Sequence, residues 1–150
     1  MGCGCNNKNA HAKSCVRYYN NNAQAIAAGE NTLQLAGARA VDSGISIQAE
    51  PMSYDIVKTG LYHIVADVTL TATTGGLVTL EWYLDGVPLP CTFRQVTAVA
   101  NVSEPMHTET EIAIGGCCCD VNKTLTLVLT AATGVVGAVN QLCTGVLKLA

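Results

Sequence analysis

A two-residue rhythm restricts this chain more than any other feature. Between Leu61 and Thr73, Tyr62, Ile64, Ala66, Val68 and Leu70 fall on alternate positions and share one face of an extended segment. The next segment repeats the pattern with Val78, Leu80, Trp82 and Leu84. A helix would gather neighbours three and four apart, so this spacing predicts strands. Asp85-Gly86 then supplies a dipeptide suited to a two-residue hairpin turn, in which both residues take positive φ. Strand signals recur at Thr32–Ala36, Ile45–Ala49, Tyr54–Val57, Thr92–Ala100, His107–Ile114, Thr124–Thr130 and Gln141–Leu149. No long helical stripe interrupts them. The expected fold is all-β, an antiparallel β-sandwich of the jelly-roll type.

Composition says what kind of surface such a sandwich has. Of 150 residues, 49% are hydrophobic and 13% charged, against about 25% charged in an ordinary soluble domain. A disordered polar chain is excluded. Eight basic residues and a net charge of −3 give no electrostatic footprint for nucleic acid, so no nucleic-acid partner is expected. So little charge suits a surface partly covered by other chains. The second face of the long segment (Leu61, His63, Val65, Asp67, Thr69) is mixed instead of polar, which suggests that it meets another subunit.

The charge is also unevenly spread. The first 20 residues hold Lys8, Lys13 and Arg17 and no acid, while the remainder holds five basic and eleven acidic side chains, for −6. Residues 1–30, rich in Gly, Asn and Ala, read as an extended N-terminal attachment arm, and residues 31–150 as the jelly roll. Lys8, Lys13, Arg17, Tyr18 and Tyr19 are the residues expected to dock the arm on an acidic surface. No apolar signal segment opens the chain, and Met1-Gly2-Cys3 lacks the Ser or Thr at position 6 that myristoylation wants, having Asn6. The uncharged run from Thr124 to Leu147 is long enough to span a bilayer, but its Thr-Leu alternation and its Gly residues read as two strands, so no membrane partner is expected.

Three places carry a family resemblance. Gly60-Leu61-Tyr62-His63-Ile64 opens the long strand with a Gly-x-Tyr pattern. Tyr83-Leu84-Asp85-Gly86-Val87-Pro88-Leu89-Pro90 has the form of a strand, a turn and a Pro-spaced return. Cys143-Thr144-Gly145-Val146-Leu147-Lys148-Leu149-Ala150 is an apolar terminal strand. Together, over roughly residues 45–150, they resemble the tumour-necrosis-factor/C1q-like jelly roll. The bacterial and phage branch is the nearest in look, including the C-terminal domains of spore-surface collagen-like glycoproteins and phage head decoration or head-fibre proteins. The resemblance implies a homotrimer packed about an apolar axis, with Tyr62, Ile64, Val146, Leu147 and Leu149 at the core or trimer contact. No Gly-X-Y stalk precedes the domain, which favours a virion protein on the capsid surface, bound to a major capsid protein, over a spore filament. The alternatives are a spore- or cell-surface structural protein, or a carbohydrate-binding adhesin or receptor-binding tip. A polar aromatic rim, as an adhesin needs, is not supplied by one Trp and one Phe.

Residues able to carry chemistry do not assemble on paper. Cys3, Cys5 and Cys15 lie toward the N-terminus, Cys117-Cys118-Cys119 are consecutive, and Cys91 and Cys143 stand apart. The spacing is not that of a zinc finger; free thiols, disulfides and a soft-metal site shared between subunits all remain open. His107, Glu109 and Glu111 alternate onto one face, which reads either as a cation site or as a solvated edge. No Gly-x-Ser-x-Gly elbow and no phosphate-binding Gly-rich loop is present. The sequence therefore predicts a non-enzymatic protein with no cofactor.

Overall fold

In a computed structural model the fold is described for residues 14–35, 38–43, 46–116 and 120–150. Its strands are β1 (Cys15–Asn20), β2 (Gln24–Ile26), β3 (Gly29–Thr32), β4 (Ala38–Ser43), β5 (Ile47–Glu50), β6 (Ser53–Lys58), β7 (Gly60–Thr74), β8 (Gly76–Leu84), β9 (Val87–Pro88), β10 (Arg94–Ala98), β11 (Ser103–Ile114), β12 (Asp120–Ala131) and β13 (Val136–Lys148). One sheet runs β11-β7-β13-β1-β4, with β2 also on β13. The other runs β10-β8-β12-β6-β5, with β3 on β12 and β9 on β8. The strand pairings within both sheets are antiparallel, as a jelly roll requires.

Alternation in the sequence becomes the division between inside and outside. Tyr62, Ile64, Ala66, Val68 and Leu70 of β7 are buried, facing Val78, Leu80 and Trp82 of β8 and Leu125, Leu127 and Leu129 of β12. The Tyr18 ring lies 5.8 Å from that of Tyr54, nearly parallel, and Tyr54 lies 6.4 Å from Trp82. Such aromatic pairs add about 0.5–1.5 kcal/mol each beyond their buried area. The Tyr54 hydroxyl meets Thr144 Oγ1 at 2.7 Å, and burial pushes its pKa well above the usual phenol range. The hairpin turn is as expected: Asp85 and Gly86 both have positive φ, 51° and 78°.

The Gly-x-Tyr pattern has a steric cause. A Cβ on Gly60 would lie 2.5 Å from the Ala150 carbonyl oxygen and 2.7 Å from Lys148 Cε. Its absence lets the C-terminus close on β7, where the Leu61 N–H donates to Ala150 O at 2.9 Å. Two residues on, the Tyr62 hydroxyl donates to Lys58 O at 2.6 Å, and burial raises its pKa to about 12.

The arm differs most from expectation. Cys15–Asn20 is not part of an arm but an inner strand, paired with β13 on one side and β4 on the other. Gln24–Ile26 and Gly29–Thr32 add strands to the two sheets. Asn20 hid the pattern: it is a buried polar residue in an inward position, tolerated because its Nδ2 donates to Gln34 O at 2.9 Å. Tyr18 is accordingly a core residue rather than a docking residue. Arg17 and Tyr19 alternate onto the opposite, open side of the strand. Lys8 and Lys13 lie outside the described residues. The uncharged run Thr124–Leu147 forms most of β12 and β13, joined through Gly134. No helix among the described residues is long and apolar enough to cross a membrane.

Candidate assembly face

The two sheets have unlike outer surfaces. On β8 and β12 the positions that alternate outward are Leu77, Thr79, Glu81, Tyr83, Thr124, Thr126, Val128 and Thr130, a mostly polar set. The open side of the β11-β7-β13-β1-β4 sheet is different. Its inner three strands carry Cys15, Arg17 and Tyr19 on β1, Cys143, Gly145 and Leu147 on β13, and His63, Val65, Asp67 and Thr69 on β7. Register brings them together, with Leu147 opposite Cys15 and His63, and Cys143 opposite Tyr19 and Asp67.

Gly145 gives this face its relief. A Cβ there would approach both Arg17 Cγ and Val65 Cγ1 at 3.3 Å, so the bare backbone leaves a recess of 70 Å³ among Cys15, Arg17, His63, Val65 and Leu147. A second hollow, of 270 Å³, lies among Tyr19, Asn21, Asp67, Thr69, Gln141 and Cys143. Leu147 is 37% exposed and Tyr19 42%. These two form the apolar rim of a face with half-buried thiols.

Along the β11 edge runs a chain of acids and imidazoles. His107 Nδ1 lies 2.6 Å from Asp67 Oδ1 and its Nε2 3.5 Å from Glu109 Oε1, while Glu109 Oε2 lies 3.2 Å from His63 Nε2. The hydrogen bond to Asp67, helped by Glu109, raises the His107 pKa against a smaller opposing effect of burial. His107, Glu109 and Glu111 do share a face, as alternation predicted. Among the described residues, however, no group of three or more His, Cys, Asp or Glu side chains is placed to hold a metal ion.

The remaining expected residues are placed as follows. Tyr62, Ile64 and Val146 lie in the core between the sheets rather than on the open face; of the residues assigned to the trimer contact, Leu147 is on the open side and Leu149 is half-buried. Among the described cysteines, Cys15, Cys91 and Cys143 form no disulfide; Cys3, Cys5, Cys117, Cys118 and Cys119 lie outside the described residues. The mixed second face of β7 was legible in the sequence. The contribution of Arg17, Tyr19, Cys143 and Gly145 was not, because only the β1-β13-β7 register brings them beside it.

The fold can be matched to solved structures. The crystal structure of murine APRIL at pH 5.0 superimposes with a TM-score of 0.63 at 10% identity, covering 92% of this chain and 100% of that one. The globular domain of zebrafish complement 1qA gives 0.60 at 11% identity, covering 88% and 94%. The fold is a TNF/C1q-like jelly roll. No family model matches the sequence, and no curated protein sequence matches it. At these identities the TNF/C1q-like likeness is one of fold, reached with different residues.

Proposed function

We propose that this protein is a non-enzymatic structural component that works as a homotrimer. The observation that supports it most directly is the open face of the β11-β7-β13-β1-β4 sheet. It offers two recesses, half-buried thiols and a rim of Leu147 and Tyr19, where a solvated sheet would carry regular polar side chains. Three copies sharing that face would cover it and account for a chain with only 13% charge. In the most concrete form of the proposal the trimer is a bacteriophage capsid decoration or head-fibre protein on the virion surface, held on the major capsid protein through residues 1–13 with Lys8 and Lys13. Arg17 and Tyr19 then belong to the trimer contact instead of the attachment segment.

The deciding experiment measures mass by light scattering for the full chain and for residues 14–150, alone and with purified capsids. The expected result is a mass that is a multiple of three chains for both, with capsid binding only by the full chain. A monomer that ignores capsids overturns the proposal. Trimers that ignore capsids but bind spores or cell envelopes replace the virion reading with the surface-protein one.

A further inference from the structure

The chain enters the sandwich at Ser14, and β13 ends beside it, with Leu147 opposite Cys15. The other end of the sandwich is made of four loops and their flanks: residues 26–29 between β2 and β3, 72–77 between β7 and β8, 98–103 between β10 and β11, and 131–137 between β12 and β13. None of these residues is Asp, Glu, Lys, Arg or His. A small domain's surface ordinarily carries about 25–35% charged residues, and loop tips favour Gly, Asn, Asp, Ser and Pro. Here the tips expose Val99 (58%), Val136 (53%), Val102 (47%) and Leu77 (41%). Ala27, Ala28, Ala100 and Ala132 are also exposed there, among the uncharged Thr73, Thr74, Asn101, Ser103 and Thr133. No single loop departs far from the ordinary; their convergence does.

The loops hold one another in place. The Asn101 N–H donates to Ala72 O at 2.7 Å and the Ala132 N–H to Leu77 O at 2.9 Å, and Ala72 bridges to Ala100. A Cβ on Gly75 would lie 2.3 Å from Ala98 O, and one on Gly76 would lie 2.6 Å from Val135 Cγ2. Short side chains on a backbone pinned this way lose little conformational entropy on contact.

We propose that this uncharged end is a self-association surface that seats against the same end of a second copy. Charge selects the occupant. Beyond its first 20 residues the chain carries −6, so pairing through most other faces brings like charges together, whereas this end brings none. A charged partner surface would bury unpaired ions against it, and an anionic membrane would find no Lys or Arg there. The same end of a second copy meets it without burying an ion. Such a contact is isologous and closes at two. The pairing holds whether the unit that pairs is one chain or the trimer proposed above.

The test compares masses of the full chain at low and high salt for the wild type, V99E, V136E and the uncharged control V99T. The wild type and V99T are expected at twice the mass of V99E and V136E, at both salts, with the circular dichroism of all four alike. Val99 and Val136 sit on different loops, so one variant decides the matter if the other fails to fold. Equal masses for the wild type and a folded glutamate variant overturn the proposal, as does a wild-type mass that halves at high salt. Wild-type protein that floats with phosphatidylcholine vesicles while keeping the mass of the variants overturns it in favour of a bilayer partner. Loss of trimer without change in the twofold ratio counts against the proposed function alone.

Discussion

His107 is held between Asp67 and Glu109, and that geometry fixes the sign of a pH effect. Its pKa is raised in the folded protein, above an unfolded value of about 6.5. The stabilisation is therefore complete below the unfolded pKa and is lost as pH rises through the folded one. The difference in melting temperature between wild type and H107Q should grow as the pH falls from the alkaline side toward mild acidity, and fade as the pH rises through the raised pKa of the folded protein. An NMR titration of His107 should show a midpoint that drops in D67N; an unchanged midpoint would contradict the assignment. The buried pair Tyr54–Thr144 makes a second residue-scale prediction. Y54F keeps the ring stack but leaves the Thr144 hydroxyl without its phenol partner, at a cost of about 1–2 kcal/mol measured by urea unfolding.

At the scale of elements, the long strands were legible because their burial follows strict alternation. Tyr62 to Leu70 and Val78 to Trp82 need nothing but their own spacing to be placed. The first strand was not legible. Cys-Val-Arg-Tyr-Tyr-Asn turns a buried Asn20 inward and splits Tyr18 and Tyr19 between faces, so neither polarity nor the aromatic pair reveals the side that packs. What makes it a strand is tertiary: two neighbours supply ladders and Tyr54 supplies a stacking partner. The corrected boundary has a direct check. Removing residues 1–13 should leave the cooperative thermal transition in place, whereas removing residues 1–20 should abolish it, because that opens the middle of a sheet.

For the whole molecule, one sheet turns mostly polar side chains outward and the other presents recesses and a rim of Leu147 and Tyr19. Leu147 is on that rim and 37% exposed, so L147E should cut the mass of the proposed trimeric assembly threefold while its circular dichroism stays that of wild type. A trimer that survives L147E would move the contact elsewhere on the fold. The uncharged end could not have been seen in the sequence. Its four loops are separated along the chain, and each alone is an ordinary turn; only the jelly-roll connection places them at one pole.

The position of β1 has a mechanical consequence. The chain enters at Ser14 and β1 runs into the body between β13 and β4, bonded along both edges. Tension applied through the N-terminus, along the strand, loads those two ladders in shear, so their bonds must yield together rather than peel one by one. A tether built this way resists pulling even though each bond in it is weak, and a protein held by its first residues would keep its shape under strain until the sheet itself gave way.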